Sequence, residues 1–284
     1  MTTTPSGGPA ERTIVLVGAT SGIGRHAARR LAAEGHRLVL IGRDPERVRR
    51  LARDLPAAHV ITADISTADG VDQAAKEVHA AVGHIDTLVN NAGVMLPDRR
   101  TTAEGIELNL AVHHLAPWSM TGRLLPLLRR GDGRVVNVNS EGHRAPLRGP
   151  GPVLLDLGDL NSEHGYDPFL TYSRTKLANL MFTYELHRRH PELTVVAVHP
   201  GMVRTDLGRH FSRVLVTLVG AFSLPARQGA EPIVRLATAP EVAAGAYYDR
   251  FTPVASSHAS YDLDTARRLW DATAALRGPF APAA

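Results

Sequence analysis

The sequence predicts an α/β fold: a single doubly wound domain with a seven-stranded parallel sheet and helices on both faces. Short apolar runs rich in Val, Ile and Leu alternate with longer helical segments from residue 13 almost to the end of the 284-residue chain. Strand, helix and strand repeated in this way require parallel pairing through right-handed crossovers, which place helices on both sides of one sheet. No repeat or polar linker interrupts residues 13–284, so we expect one domain there.

The predicted elements follow from these alternating runs. The strands are Thr13–Val17, Arg37–Ile41, His59–Thr62, Thr87–Asn90, Arg134–Asn139, Leu193–His199 and Ala244–Tyr248. The helical segments are Gly22–Glu34, Pro45–Asp54, Ala68–Val82, Thr102–Arg129, Pro168–His190, Ala226–Ala237 and Thr265–Leu276. Pro117 and Pro126 lie inside the fourth helix, which should kink or break there because proline removes a backbone donor. Gly131, Asp132 and Gly133 supply the turn into the fifth strand.

The composition is that of an ordinary globular chain, and it excludes several kinds of site. Apolar residues make up 44% and charged residues 21%, the net charge is +4, and there is no cysteine. The last fact excludes a disulfide framework, a thiolate zinc site, an iron–sulfur cluster and a cysteine nucleophile. The arginines are scattered rather than arranged in a stripe, so we expect no nucleic-acid partner. We also predict no metal site.

The first dozen residues and the longest apolar run bear on location. Residues 1–12 are mainly Thr, Pro, Ser and Gly, and we expect a disordered tail rather than a signal peptide. No run reaches the roughly 18 apolar residues of a membrane helix. The nearest, Val214 to Leu224, is more typical of a buried or lid helix. We therefore expect a soluble, cytoplasmic protein without a membrane anchor.

Two long irregular stretches, residues 141–166 and 200–225, each follow the end of a strand. Ligands of open α/β sheets bind outside the carboxyl ends of the strands, so these stretches are the expected substrate loops. Their apolar side chains favour a hydrophobic ketone, aldehyde or secondary alcohol, but they would also suit core packing or a subunit interface. The expected pocket residues are His143, Arg144, Pro146, Leu147 and Phe169 on one side and Met202, Leu207, Phe211, Val214, Leu215 and Phe222 on the other.

A glycine-rich turn, Gly18-Ala19-Thr20-Ser21-Gly22-Ile23-Gly24, connects the first strand to the first helix. Glycines permit a tight turn and let the backbone approach a pyrophosphate, whose negative charge a helix N-terminus stabilises. Glycine spacing alone also fits a plain connection. Its place between a first strand and a helix predicts a Rossmann-type dinucleotide site.

The residues after the second strand predict which dinucleotide binds. A free ribose 2′-hydroxyl requires an Asp or Glu at this point, whereas a 2′-phosphate requires arginine. The chain has Gly42 and Arg43 there, and Arg25 opens the first helix, so two guanidinium groups are placed to hold a phosphate. This pattern favours NADP(H). The alternative is that both arginines are solvated surface residues, or that Asp44 engages Arg43.

Tyr172 and Lys176 are four residues apart in a helical segment and therefore project from one face. An ammonium group near a phenol stabilises the phenolate and lowers the phenol pKa, which gives a tunable acid–base. Ser140, at the end of the fifth strand, can hydrogen-bond a substrate oxygen. These three side chains suit carbonyl reduction or alcohol oxidation by hydride transfer, although Tyr and Lys at this spacing are also common on plain surfaces.

Taken together, these motifs resemble the short-chain dehydrogenase/reductase family across nearly the whole chain. The matching pieces are the turn at 18–24, Asp64, Asn90-Asn91-Ala92-Gly93, Ser140, Tyr172-Ser173-Arg174-Thr175-Lys176 and Pro200-Gly201. The segments Lys176 to Asn179, His199 to Thr205 and Thr265 to Trp270 are similar to the branch that contains the retinol dehydrogenases. Many animal members of that branch carry an apolar N-terminal anchor, which this sequence does not match.

The resemblance implies a role for each matching residue. Tyr172 would be the acid–base, Lys176 would bind the nicotinamide ribose and lower the phenol pKa, and Ser140 would orient the substrate oxygen. Asp64 would accept a hydrogen bond from the adenine amino group. The full set of implied cofactor contacts is Gly18, Thr20, Ser21, Gly22, Ile23, Gly24, Arg25, Arg43, Asp64, Ile65, Asn91, Ala92, Gly93, Tyr172, Lys176, Pro200, Gly201, Val203 and Thr205.

One residue departs from the family pattern. An asparagine that holds a water in the family's proton relay aligns with His113, and Asn109 lies one helical turn earlier. We expect His113 to substitute in the relay, because imidazole both donates and accepts. The alternatives are that Asn109 serves the relay, or that proton transfer is weakened. Helix packing is an equally good reading of the neighbouring His114.

The sequence therefore predicts an NADP(H)-dependent oxidoreductase acting on an apolar carbonyl or alcohol. Two alternatives stay open: a dinucleotide-binding sensor with impaired chemistry, and non-redox chemistry such as dehydration, epimerisation or cyclisation in the same pocket. The high Ala, Arg and Gly content is associated with GC-rich bacteria and secondary metabolism. Members of the family pair through the helix carrying Tyr172 and the helix after it, so the resemblance implies a homodimer or homotetramer.

Overall fold

A single sheet organises the chain in the computed structural model, which describes residues 11–145, 151–203 and 223–281. Its strands are β1 (Thr13–Val17), β2 (Arg37–Gly42), β3 (His59–Thr62), β4 (Thr87–Asn90), β5 (Arg134–Val138), β6 (Thr194–His199), β7 (Tyr247–Asp249) and β8 (Thr252–Val254). They lie in the order β3-β2-β1-β4-β5-β6-β7-β8. The predicted α/β class and the doubly wound parallel sheet are confirmed.

The sheet differs from the prediction in having an eighth strand. β8 pairs antiparallel with β7, whereas every other pair in the sheet is parallel. All three residues of β8, Thr252 to Val254, are exposed. A three-residue strand without a buried face has no apolar alternation, so nothing in its sequence distinguishes it from a turn.

Helices cover both faces of the sheet. They are α1 (Gly22–Ala33), α2 (Pro45–Asp54), α3 (Ala68–Ala81), α4 (Leu108–Leu110), α5 (Ala116–Leu128), α6 (Pro168–Arg189), α7 (Ala226–Thr238) and α8 (Leu263–Arg277). Among the described residues, no helix is of a length and hydropathy that would let it cross a membrane.

The predicted long helix at 102–129 is in fact three pieces. It begins at Leu108, because the Glu107 carboxylate accepts hydrogen bonds from the backbone N–H groups of Asn109 and Leu110 and so caps α4. A π-helical turn, Ala111–Leu115, then joins α4 to α5. Pro117 lies in the first turn of α5, where its missing N–H costs little, so the irregularity expected at this proline is a π turn just before it.

Alternate strand residues build the two halves of the core. On β1, Val15 and Val17 face one layer, which contains side chains of α3, α5 and α6. Ile14 and Leu16 face the other layer, formed with α1, α2 and α7. All five residues of β1 are buried, as expected for a strand covered by helices on both sides.

The chain also covers the outer side of α6. Every α6 residue from Thr175 to Leu186 is buried, and Val153 and Leu269 belong to the cluster that packs on its outer side. Beyond α8, the Phe280 ring lies 5.3 Å from the Trp118 ring and 4.9 Å from the Trp270 ring. The C-terminal segment is therefore part of the packing around the helix that carries Tyr172 and Lys176.

The Phe280 anchor yields a stability prediction. Phe280 is 7% exposed, so Phe280→Ala should lower the free energy of unfolding by about 2–4 kcal/mol through lost burial and a cavity. Urea unfolding measures the loss. Leu276→Ala is the matched control, because Leu276 is 44% exposed and its truncation should cost under about 0.5 kcal/mol. Equal effects for the two variants would contradict the proposed anchor.

Candidate active site

The glycine-rich turn has the conformation that close backbone approach requires. Gly18 has φ +83° and Gly22 has φ +48°, a region that only glycine adopts without strain. A Cβ on Gly24 would lie 2.1 Å from the Gly18 carbonyl oxygen, so glycine is also required there by space. Asn91, which directly follows β4, holds this turn in place because its side-chain amide donates to the Gly18 carbonyl at 2.9 Å.

The N-terminus of α1 is open to an anion. Ser21 is its N-cap residue but makes no side-chain cap hydrogen bond, and the first turn holds no acidic residue. Arg25 lies in this first turn, and its buried Nε has no hydrogen-bond partner. Free backbone N–H groups and the helix dipole fit the pyrophosphate of a dinucleotide. The residues present therefore fit the implied cofactor at this turn.

The end of β2 presents arginine rather than a free carboxylate. Arg43 follows β2 and is exposed. Asp44 caps α2, accepting from the backbone N–H groups of Glu46 and Arg47. One carboxylate oxygen of Asp44 is thereby engaged in the cap of α2. Thr20 packs against Gly42, where a Cβ would lie 2.2 Å from the Thr20 methyl carbon.

The residues expected near adenine and its ribose lie along the ends of β3 and β4. Asp64 is exposed and accepts from the Ser66 N–H at 3.1 Å. Ile65 and Ala92 line one small cavity. Gly93 is exposed beside them. The motif order predicts this placement. It puts Asp64 and Ile65 just after the carboxyl end of β3, and the Asn91 to Gly93 segment just after that of β4.

Tyr172, Ser140 and Lys176 come together at the carboxyl end of β5. A Cβ placed on Gly142 would be 3.5 Å from both the Ser140 hydroxyl and the Tyr172 ring. The Lys176 Nζ lies 5.8 Å from the centre of the Tyr172 ring and donates to the Val138 carbonyl at 3.0 Å. The Ser140 hydroxyl oxygen accepts from the Gly142 N–H at 3.2 Å, which leaves its own proton free to donate.

The acidities of this pair differ from the expectation. Burial raises the pKa of Tyr172, and a hydrogen bond with Ser140 lowers it only in part. Burial also lowers the pKa of Lys176 from 10.5 to about 7. The net shift of the phenol pKa is therefore upward rather than downward as expected, because loss of solvation disfavours the phenolate. The phenol is consequently held in its protonated form.

Two asparagines that the sequence reasoning gave no role at the site hold this arrangement. The Asn139 amide donates to the Lys176 carbonyl at 3.0 Å and to the Asn179 side chain at 2.9 Å, and its oxygen accepts from the Ser140 N–H. Asn179 donates to the His113 carbonyl at 2.8 Å. The sequence signal that could have identified Asn139 and Asn179 is that each is a polar residue inside an otherwise apolar segment.

The His113 ring contacts the Tyr172 ring of α6, whereas the Asn109 side chain bonds elsewhere. The His113 ring meets the Tyr172 ring edge-on, with centroids 5.3 Å apart. Asn109 donates to the Glu107 carboxylate at 2.7 Å and to the Tyr166 hydroxyl at 3.4 Å, so its side chain belongs to the cap of α4. His114 bonds Thr273 of α8 at 2.7 Å, which agrees with a packing role.

The segment after β6 folds over the first helix. Pro200 is buried, Gly201 has φ +93°, and Met202 is 57% exposed. Val203 packs against Gly229 of α7, next to Ile23 of the glycine-rich turn. Thr205, which completes the predicted contacts, lies outside the described residues.

The predicted pocket walls are only partly described. His143 is fully buried, and its ring bonds the Ser140 carbonyl and the Ser257 N–H, so it braces the site and does not line it. Arg144 bonds Glu141. Pro146, Leu147, Leu207, Phe211, Val214, Leu215 and Phe222 lie outside the described residues. Within the described ranges, no group of three or more His, Asp or Glu side chains is placed to hold a metal ion.

Comparisons with known proteins identify the family. A model for short chain dehydrogenases matches residues 12–150. The "Putative daunorubicin C-13 ketoreductase DnrU" of Streptomyces sp. strain C5 is 37% identical over 97% of this chain and 96% of that protein. The chain belongs to the short-chain dehydrogenase family. Human retinol dehydrogenase 13 is 34% identical over 95% of this chain and 86% of its own, which supports the retinol-dehydrogenase-like branch.

A solved structure supports the same assignment. An uncharacterized protein of Mycobacterium paratuberculosis is 30% identical, with a TM-score of 0.77 and coverage of 96% of each chain. Short-chain dehydrogenases are oxidoreductases that use nicotinamide cofactors and act on alcohols and carbonyls. The predicted hydride-transfer class and small-molecule substrate are thereby confirmed at family level.

The buried lysine predicts a pH-dependent stability. Because the pKa of Lys176 falls from 10.5 to about 7 on folding, the unfolded chain binds more protons between these values, and stability rises with pH across this window. Lys176→Met should therefore stabilise the fold most near pH 7. Its gain should shrink toward pH 10 by up to about 1.4 kcal/mol per pH unit.

Urea unfolding at several pH values measures this gain. Lys76→Met is the control, because Lys76 is exposed on α3 and its replacement should give a difference that does not vary with pH. A gain in stability from Lys176→Met that is constant from pH 7 to pH 10 would argue against the lowered pKa of Lys176 in the folded chain.

Proposed function

We propose that this short-chain dehydrogenase is an NADP(H)-dependent reductase of apolar ketones or aldehydes, which also oxidises the corresponding alcohols, with Tyr172 as the acid–base. The observation that carries the proposal is the convergence of Ser140, Tyr172 and Lys176 at the carboxyl end of β5, two strands along the sheet from β1 and its glycine-rich turn. The bound nicotinamide would supply the hydride. The glycine cradle and the open N-terminus of α1 would hold its pyrophosphate.

Tyr172 can serve as the acid in the reductive direction. In reduction, the Tyr172 hydroxyl donates its proton to the substrate carbonyl oxygen, and the Ser140 hydroxyl donates a hydrogen bond to the same oxygen. The phenolate so formed is stabilised by the Lys176 ammonium, which the Val138 carbonyl holds in place. Because burial raises the pKa of Tyr172, the phenol carries the proton that this step transfers.

The cofactor preference rests on charge at the end of β2. Arg43 is exposed there, Asp44 is engaged as a helix cap, and the Nε of Arg25 lacks a partner. An added 2′-phosphate would gain charge-assisted hydrogen bonds from these guanidinium groups. A 2′-hydroxyl would find no free carboxylate among the residues named. These features favour NADP(H) over NAD(H).

The substrate, location and assembly stay proposals. Similarity to a protein named as a putative daunorubicin ketoreductase and the exposed Met202 side chain after β6 support a bulky apolar ketone as substrate, in secondary metabolism. We retain a cytoplasmic location. We also retain a homodimer or homotetramer, but pairing through the middle of α6 is disfavoured because its residues from Thr175 to Leu186 are buried within one chain.

A panel assay tests the proposed function. Purified protein mixed with NADPH and lipophilic ketones should consume NADPH, followed by its absorbance, and Tyr172→Phe should lower kcat at least about a hundredfold because it removes the transferred proton. The variant should bind NADPH as the wild type does. Tight NADPH binding without turnover of any ketone would instead support a sensor. Product formed without net NADPH loss would support non-redox chemistry.

The phosphate assignment has its own test. Arg43→Ala should raise the Kd for NADPH about tenfold or more, because a charge-assisted hydrogen bond is lost, and should leave the Kd for NADH nearly unchanged. Fluorescence titration with both cofactors measures the split. Arg47→Ala is the control, because Arg47 is a nearby α2 residue that pairs with Asp44. Equal losses for NADPH and NADH in Arg43→Ala would refute the assignment.

A further inference from the structure

The His113 ring makes a directed hydrogen bond at each nitrogen. Nε2 accepts from the Val94 backbone N–H at 3.0 Å. Nδ1 lies 2.9 Å from the Thr175 hydroxyl oxygen, and the Thr175 hydroxyl donates onward to the Tyr172 carbonyl at 2.8 Å. Because Nε2 accepts from an N–H, it carries no proton, so the neutral ring carries its proton on Nδ1 and donates it to Thr175.

This arrangement opposes a change of protonation. A charged imidazole would turn Nε2 into a donor facing the Val94 N–H, which is also a donor. His113 is 1% exposed, and burial, together with the positive charge of Lys176, lowers its pKa well below the ordinary value. Lys176 and Tyr172 are the titratable side chains of the described residues that face it. The ring therefore stays neutral in a single tautomer.

We infer that His113 is a positioning residue that couples the loop after β4 to the turn of α6 that carries Tyr172, and that it does not relay protons. A relay group must release a proton on one side and accept one on the other, and both nitrogens of His113 are held in fixed roles. This inference rests on the proposed function, since Val94 directly follows the Asn91 to Gly93 segment assigned to the cofactor. It reverses the relay role that the sequence alone predicts for His113.

The two nitrogens of the His113 ring contact two different parts of the site. The Nε2 contact fixes the Val94 segment, which borders the cofactor crevice. The Nδ1 contact acts through Thr175 on the backbone of Tyr172, the proposed proton donor. Loss of the first contact should therefore weaken cofactor binding, and loss of the second should slow the chemical step. A purely structural histidine would not divide its effects in this way.

Two substitutions separate the contacts. Asparagine places its amide near the position of Nδ1, so His113→Asn keeps a donor for Thr175 and leaves the Val94 N–H unpaired. Glutamine reaches the position of Nε2, so His113→Gln keeps an acceptor for Val94 and loses the donor to Thr175. A buried polar group that is left without a hydrogen bond costs enough free energy to change the Kd or kcat about tenfold.

We expect His113→Asn to raise the Kd for NADPH about tenfold with kcat within about twofold of wild type. We expect His113→Gln to lower kcat about tenfold and to leave the Kd for NADPH within about twofold. The pH profile of kcat should be unchanged in both variants. A relay role would instead leave the Kd for NADPH unaffected in both variants, including His113→Asn, which restores the asparagine of the family's relay, and would shift the pH profile of kcat in His113→Gln. That result would overturn the inference.

His114→Gln serves as the control for general damage to the π turn. His114 bonds Thr273 rather than any site residue, so this variant should lose thermal stability without a split between Kd and kcat. A split of the same size in His114→Gln would also overturn the inference.

A measurement without cofactor or substrate keeps the test independent of the proposed function. Thr175→Val orphans the Nδ1 proton of His113, whereas His113→Gln has already removed that proton. The double variant should consequently be less destabilised than the sum of the two single variants in urea unfolding. Additive losses would contradict the His113–Thr175 contact. Failure of the wild type to bind NADPH would contradict the proposed function alone.

Discussion

The buried amide chain at the end of β5 is the constraint on which the site depends. Asn139 spans three features at once: its oxygen holds the Ser140 N–H, and its nitrogen holds the Lys176 carbonyl and the Asn179 side chain. Asn179 in turn holds the π turn through the His113 carbonyl. In a medium of low dielectric constant, each of these groups is costly to leave unpaired. Helix α6, the strand end and the π turn therefore keep one mutual arrangement.

The strands could be predicted because their signal is strong. Runs such as Thr13–Val17 are buried on both faces, and a continuous apolar run between glycine-rich turns has few other interpretations. The π turn at Ala111–Leu115 could not be predicted, because its apolar residues fit an ordinary helical period equally well. The true start of that helix depends on a buried carboxylate cap at Glu107, and burial of an acidic residue is not visible in the sequence.

The site was predictable where motifs carry it and not where burial decides it. The glycine turn, Ser140, Tyr172 and Lys176 follow from residue type and spacing. The sign of the shift in the pKa of Tyr172 does not, because it depends on how much solvent the phenol loses compared with the stabilisation that the Ser140 hydrogen bond supplies. The fixed tautomer of His113 likewise depends on the Val94 N–H and the Thr175 hydroxyl, neither of which lies at a helical spacing that would suggest contact.

The short last strand has a consequence for how the molecule behaves at high concentration. β8 is the outermost strand on one side of the sheet, and its central residue is Pro253. Proline has no N–H to offer to an incoming strand, so a neighbouring molecule cannot extend the sheet in register along this edge. The β8 edge of the sheet is in this way protected from pairing with the edge strand of another molecule.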